Sequence, residues 1–178
     1  CCYNGHSKGV TALSTHRSSP IASGSRDATI RLWRDDKDAS SSSTSMSILN
    51  GHMLSISALC YSGNGRLLLS GSREGSLRLW EVENSRCLDC MTIPRMIITD
   101  AIWHPDPAEA DTVFVAAAED LKVRLWDRRM ELSQPAWTLP VGTHIPRCLE
   151  IRQNTIYAGC QAINGIGGGV YAWDLRRM

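Results

Sequence analysis

Apolar and polar residues alternate in short bursts along this chain, and the bursts recur. The runs "TIRLW" (29–33), "SLRLW" (76–80), "KVRLW" (122–126) and "GVYAW" (169–173) each end on a tryptophan. Trp33, Trp80, Trp126 and Trp173 are separated by 47, 46 and 47 residues. In the first three runs Ile30/Leu32, Leu77/Leu79 and Val123/Leu125 share one face, while Arg31, Arg78 and Arg124 share the other. Alternation of period two predicts a strand with one packed face. A second strand-like stretch precedes each run: "PIASGS", "LLLSGS", "VFVAAA" and "IYAGC". The joining turns "RDAT", "REGS", "EDLK" and "NGIGGG" carry the Asp, Asn and Gly that tight turns favour. A third strand lies earlier in each unit, at "VTALST", "ISALCYS", "IITDAIWH" and "RCLEIR". A weaker fourth follows the first three tryptophans, at 45–49, 87–93 and 135–140.

The pattern predicts an all-β chain built from one unit written four times, at about 3–49, 50–93, 94–140 and 141–178. Two units open on a Gly-His pair, Gly5-His6 and Gly51-His52, and the tryptophan stands near the end of each unit. Trp-Asp occurs literally at Trp126-Asp127 and Trp173-Asp174, whereas Trp33 and Trp80 are followed by Arg34 and Glu81. These features resemble the WD-repeat (WD40) family of β-propellers over nearly the whole chain. The resemblance implies about four antiparallel four-stranded blades in a single repeat region, residues 1–178. It also implies a larger ring, because seven blades are the family's usual number. The opening "CCYN" aligns with the end of a fourth strand, and the last residues lie just past a third. Both suggest a piece of such a ring. Exposed blade faces in a partial ring would make the piece self-associate.

In the family, the His before the first strand, a Ser on the second, the Asp of the tight turn and the Trp form a buried hydrogen-bonded set. Carried over, the first unit offers His6, Ser23, Asp27 and Trp33, with Ser23 preferred to Ser25 on strand parity. The second offers His52, Ser70, Glu74 and Trp80, its glutamate one methylene longer. The third keeps Asp120 and Trp126 but has Pro94 and Ala116 at the His and Ser positions. The fourth offers His144 and Trp173, with Gly167 six residues before the Trp where the acid belongs. Asp127 and Asp174 complete the structural set. A His/Ser/Asp group also resembles a hydrolytic triad. Its recurrence in successive units favours a staple, because catalysis needs only one constellation.

Composition narrows the function. Nineteen Lys and Arg balance eighteen Asp and Glu, giving a formal charge of +1 without a basic stripe, which disfavours nucleic acid. No apolar run approaches the length of a spanning helix, and no signal-like segment opens the chain, so no membrane insertion is expected. Seven irregularly spaced cysteines read as reduced thiols in an intracellular, cytoplasmic protein rather than a disulfide framework. Cys87-x-x-Cys90 has metal spacing but no partner pair, and "NGIGGG" lacks the third glycine and the helix of a dinucleotide loop. No cofactor or metal is expected. The polar run "ASSSSTSMS" (39–47) reads as a linker loop.

No activated nucleophile or paired carboxylate stands out, so a non-enzymatic protein-interaction scaffold is the expected function. In the family, the residue before the turn acid lines a partner-binding face; here these are Arg26, Arg73 and Glu119. Adjacent arginines suit an acidic or phosphorylated segment. "WDRR" and "WDLR" both fit W-D-x-R, resembling substrate receptors of cullin-RING ubiquitin ligases. That resemblance implies Arg129 and Arg176 as contacts to the ligase adaptor. The stretch from "GSREGSLRLWEVE" to "WDLR" also resembles cilium-associated scaffolds of the family, implying a role in ciliary or flagellar transport. An RNA-associated propeller is the alternative of a different class.

Overall fold

The structure is a computed structural model that describes residues 3–34, 46–106, 108–109 and 111–177. The polar run at 39–47 therefore lies mostly outside the described residues. The first sheet has strands β1 (Val10–Ser14), β2 (Ile21–Ser25), β3 (Ile30–Trp33) and β4 (Ser47–Leu49) in consecutive order. The second has β5 (Ile56–Tyr61), β6 (Leu67–Ser72), β7 (Ser76–Glu81) and β8 (Arg86–Thr92). The third has β9 (Ile98–Trp103), β10 (Val113–Ala118), β11 (Lys122–Asp127) and β12 (Trp137–Pro140). The fourth has three, β13 (His144–Arg152), β14 (Thr155–Ala162) and β15 (Gly168–Asp174), followed by a 3-10 turn at Leu175–Arg177. All neighbouring pairs are antiparallel.

The sheets stack face to face in chain order, with β1 against β5, β5 against β9 and β9 against β13. Each therefore behaves as a blade. The stacking explains why the second strands lack alternation: "LLLSGS" and "VFVAAA" are buried at every position. Leu67 and Leu69 point into the core between blades two and three, whereas Leu68 points into the core between blades one and two. Phe114 and Ala116 likewise face blade two, and Val113 and Val115 face blade four.

This arrangement corrects the expectation of one packed face on the tryptophan strands. Leu77 and Leu79 pack toward blade three, but Trp80 packs toward blade one. Arg78, on the same face as Trp80, is half-buried rather than solvated. Its guanidinium and the Trp80 ring close over Gly51, where an added Cβ would lie 2.7 Å from Arg78 Nη1 and 3.2 Å from Trp80. Arg31 and Trp33 cover Gly5 in the same way, at 2.7 and 3.1 Å. A side chain at either glycine would displace the guanidinium that caps it.

One seam repeats between blades. Gly24 of β2 lies against Ile56 of the next blade, and a Cβ there would fall 2.4 Å from Ile56 Cγ2. Gly71 meets Ile98 in the same manner at 2.5 Å. Polar bridges supplement the apolar contact. Thr11 donates to the Ile56 carbonyl (2.6 Å), the Trp103 indole to the Cys60 carbonyl (3.1 Å), and the Leu149 N–H to Asp100 (2.7 Å). At the two ends of the stack the corresponding faces are open. Val10 and Leu13 are exposed on blade one, as are Tyr157 and Val170 on blade four.

Gly24→Ala and Gly71→Ala should each destabilise by about 1–3 kcal/mol, because overpacking forces backbone or rotamer shifts. Gly9→Ala, with nothing within 4 Å of its added Cβ, should be neutral. Urea unfolding of the three variants checks this, and Ile56→Ala should recover part of the Gly24→Ala loss.

Candidate functional site

The tight turns explain how polar side chains reach fixed places. In blades two and three the second and third strands are joined by three residues, and in blade one the Ser25 N–H to Thr29 carbonyl bond encloses an equivalent three, the last of each in the left-handed region. These are Ala28 (φ 68°), Gly75 (φ 88°) and Leu121 (φ 65°). This is the three-residue hairpin in which a type I turn is followed by a left-handed residue. The acid sits at the middle position. Its carboxylate closes the turn where an N–H two residues on donates to it, as Thr29 does to Asp27 at 2.9 Å.

In blade one the four proposed staple residues meet. Trp33 Nε1 donates to Ser23 Oγ at 2.7 Å, Ser23 Oγ lies 2.8 Å from His6 Nε2, and His6 Nδ1 lies 3.0 Å from Asp27 Oδ2. The direction of bonding follows. The serine oxygen accepts from the indole, its hydroxyl donates to Nε2, and Nδ1–H donates to the carboxylate; this tautomer is assigned from the network. Ser25 takes another role, donating to the Lys8 carbonyl and accepting the Asp27 N–H. Burial pushes the Asp27 carboxyl up. Hydrogen bonds from Thr29, the Ser7 N–H and His6 outweigh that and hold it far below the usual range.

Blade two repeats the chain of bonds with glutamate. Trp80 Nε1 donates to Ser70 at 2.8 Å, Ser70 meets His52 Nε2 at 2.7 Å, and His52 Nδ1 meets Glu74 at 2.8 Å. The longer side chain is accommodated by bonds from Ser76 and from the Met53 N–H (2.7 Å). Ser23 is 4% exposed and Ser70 fully buried, and each hydroxyl is engaged on both sides by the indole and the imidazole. The set is a cross-strand staple.

Blade three solves the same problem differently. With Ala116 and Pro94 replacing the polar pair, Asp120 is held in a two-point ion pair by Arg124, with one bond at 3.0 Å. Blade four departs from the reading made by spacing. Its hairpin is longer, Gln161 pairing with Gly168 and the Ala162 N–H donating to the Gly167 carbonyl beyond the turn at 3.2 Å. The turn is therefore carried outward, and Asn164, not Gly167, takes the position of the acid. Asn164 accepts the Ile166 N–H at 3.1 Å, as Asp27 accepts that of Thr29. His144 lies within β13, where its Nδ1 meets the Tyr171 hydroxyl at 3.0 Å; it is not the counterpart of His6 or His52.

Two rims emerge at opposite ends of the third strands. At the turn end, the backbone N–H groups of Arg26, Arg73 and Glu119 each donate at 3.0 Å to the segment leading into the innermost strand, at Gly9, Ser55 and Ile97. Those ties put the three side chains at equivalent places around one cavity. Arg147, which sequence reasoning missed, joins them and bonds Glu119 at 3.1 Å. It sits in a bulge of β13, between Pro146 and Cys148. Every innermost strand carries a bulge at the corresponding place, and the extra residues are Thr11, Ser57, Thr99 and Arg147. A bulge redirects a side chain out of the ladder, and its regularity is a property of pairing that no short motif announces.

At the other end lie Arg129 and Arg176. Each folds back on the aspartate two residues earlier with the same geometry. Arg129 Nε and Nη2 donate to Asp127 at 2.9 and 2.7 Å, and Arg176 Nε and Nη2 to Asp174 at 3.0 and 2.9 Å. Arg129 also pairs with Glu109 at 3.1 Å. The Arg176 bond holds Asp174 down at about 2, and the Arg129 bond holds Asp127 low. Both guanidiniums are exposed.

The family model described as "WD domain, G-beta repeat" matches residues 1–34 and 43–81. Among curated proteins, the chain is 28% identical over 154 residues to nuclear distribution protein PAC1 of Arthroderma benhamiae. That match covers 82% of this chain and 32% of the relative. It is 30% identical over 132 residues to pre-mRNA-processing factor 17 of Mus musculus, covering 71% of this chain and 21% of that protein. The chain thus spans a third or less of the curated relatives it matches. These matches and the fourfold blade unit support the WD40 repeat family for this chain, with an all-β propeller-type fold.

Burial lowers the His52 pKa, with Glu74 opposing and Arg78 adding to the effect. The unfolded chain takes that proton near pH 6.5 where the folded site resists it, so stability falls as pH drops through about 6.5. Glu74 is held low by Ser76, His52 and Met53 against its burial, and Asp27 is held low as well. Their contribution is present above about pH 4 and lost below it. Asp100, pushed up by burial, acts with the opposite sign, and His104, lowered by burial, adds to the first loss. Urea midpoints from pH 7.5 to 3 should therefore show a smaller decline between 7.5 and 5.5 in His52→Gln than in wild type.

Proposed function

We propose that this chain is a non-enzymatic platform that holds protein partners on its turn-side rim. The observation that carries the reading is the convergence of Arg26, Arg73, Glu119 and Arg147, from four different blades, on one cavity. WD40 domains in general bind other proteins, and the one recurrent His/Ser/acid constellation is spent on internal stapling. Pull-down from cell extract with wild type and an Arg26→Glu/Arg73→Glu variant tests it. The variant should lose specific partners, and recovery of the same set would overturn the assignment of this rim.

A second reading rests on the opposite rim. Asp127–Arg129 and Asp174–Arg176 share one geometry on consecutive blades and present exposed guanidiniums, which supports docking of a cullin-RING ligase adaptor. Arg129→Ala/Arg176→Ala should abolish adaptor recovery while leaving turn-side partners bound; equal adaptor recovery would reject this reading. Where the platform works is a further proposal. The chain resembles WD repeat-containing protein 31, which supports a cytoplasmic and ciliary setting. The likeness to a pre-mRNA-processing factor supports an RNA-associated assembly instead. Location of the tagged protein at the ciliary base or in the nucleus separates the two. The open apolar faces at Val10/Leu13 and Tyr157/Val170 support self-association of the chain, read by size-exclusion chromatography.

A further inference from the structure

Strand β8 forms the outer edge of blade two, and its pairing with β7 contains one irregularity. Leu79 pairs with Asp89 and Trp80 with Cys87, which leaves Leu88 as an extra residue. In an unbroken strand, residues three apart point to opposite faces. The bulge cancels that alternation and puts Cys87 and Cys90 on the same face of the sheet. Cys90 pairs with Arg78 and Cys87 with Trp80, on the face that packs toward blade one. Asp89 and Met91 pair with Leu79 and Leu77 on the other face. Cys87 Sγ donates to the Asp89 carbonyl at 3.4 Å, so its thiol leans along the strand toward Cys90. Both thiols are free, Cys87 half-buried and Cys90 exposed. Arg78 stands beside them. Its Nη1 donates to Cys87 Sγ at 3.7 Å, and its Nε is buried without a hydrogen-bond partner. No carboxylate pairs with Arg78 among the described residues, whereas Arg124, its counterpart in blade three, is neutralised by Asp120.

We propose that Cys87 and Cys90 form a two-thiolate site for a soft monovalent metal ion, with Cu(I) as the ion of that class available in cells. The site lies on an outermost strand and is independent of the platform reading. On binding, two thiols release their protons, two copper–sulfur bonds form, and the copper keeps its oxidation state. Two thiolates and one Cu(I) leave a net charge of −1, which the Arg78 guanidinium beside Cys87 neutralises. Coordination number selects the ion. Structural zinc takes four ligands, and no third His, Cys, Asp or Glu joins the pair among the described residues. Cu(I) accepts soft sulfur ligands, whereas magnesium and calcium take oxygen. A disulfide is the competing use of two thiols. It needs Cα atoms within about 7 Å, and three strand steps of about 3.3 Å each exceed that span. A metal between the sulfurs adds the length of two bonds and bridges thiols too far apart to join directly.

Anaerobic titration of the whole chain with Cu(I) against a chromophoric Cu(I) chelator tests this. A Cys1→Ser/Cys2→Ser background removes the adjacent terminal pair from the count. One equivalent should bind, with a sulfur-to-copper charge-transfer band in the ultraviolet and two sulfur neighbours by X-ray absorption. Cys87→Ser and Cys90→Ser should each lose that equivalent, and Cys148→Ser/Cys160→Ser should keep it. Asp89→Cys/Cys90→Ser retains two thiols but moves the second to the opposite face, so it should not bind. Arg78→Gln should weaken binding by about tenfold or more, the scale of partners just outside the ligands. Arg78→Lys, which keeps the charge, should restore most of it. Urea midpoints of the metal-free variants, unchanged at exposed Cys90→Ser, separate lost binding from lost folding. Retention of the equivalent in Cys87→Ser or Cys90→Ser, or binding by Asp89→Cys/Cys90→Ser equal to wild type, overturns the site. Displacement of the copper by Zn(II), or its transfer to glutathione at cellular excess, shows adventitious thiol chemistry only and overturns it as well.

Discussion

Each sheet in this chain carries apolar residues on both faces, and the need to cover them organises the rest. A lone four-stranded antiparallel sheet with apolar residues on both sides has no stable place in water. Stacking covers both faces of the two inner sheets, and at the first two seams it does so through a repeated fit: Gly24 under Ile56, Gly71 under Ile98. The glycine permits a backbone approach that any Cβ would prevent. The β-branched isoleucine supplies a stiff surface to fill the gap. Blade spacing is therefore set by sterics at the second strand, and the turn and bulge residues inherit that spacing.

The polar networks follow from the same burial. A tryptophan turned toward the previous blade brings an indole N–H into a dry region, where it needs an acceptor. Ser23 and Ser70 provide one, and each serine hydroxyl then donates a hydrogen bond to a histidine that the turn acid holds. The chain of bonds ends on a carboxylate whose position is fixed by a hairpin of three residues. Where the His and Ser are absent, Asp120 meets Arg124 directly. The constraint common to these blades is that the acid must find a cation or donor across the strand pair, and different side chains satisfy it.

The tryptophan interval of 46–47 residues made the fourfold unit legible, together with its strand order and the staples of the first two blades. Those features are local, or repeat with fixed spacing. What spacing could not convey is pairing. Counting back from Trp173 points to Gly167, yet the fourth hairpin is extended and Asn164 occupies the turn position. The same blindness hid Arg147, because a bulge is visible only when two strands are aligned. Alternation in "SLRLW" was read as one packed face, since Arg78 looks solvent-bound in a single strand. The folded blade instead brings its guanidinium over Gly51, beside the Trp80 ring.

The two rims use arginine in opposite ways. On the far rim Arg129 and Arg176 are each tied to an aspartate two residues back, so their forks are pre-aimed and much of the ordering cost is met inside the chain. A partner there meets a fixed, partly neutralised pair, which suits recognition by shape. On the turn-side rim Arg26 and Arg73 have no counter-ion among the described residues, whereas Arg147 pairs with Glu119. A partner held there on the proposed reading would meet two free arginines and a third already paired with Glu119. The rim's blade-to-blade differences, Arg at two turns and Glu at the third, matter more to recognition than the repeated residues that hold them in place.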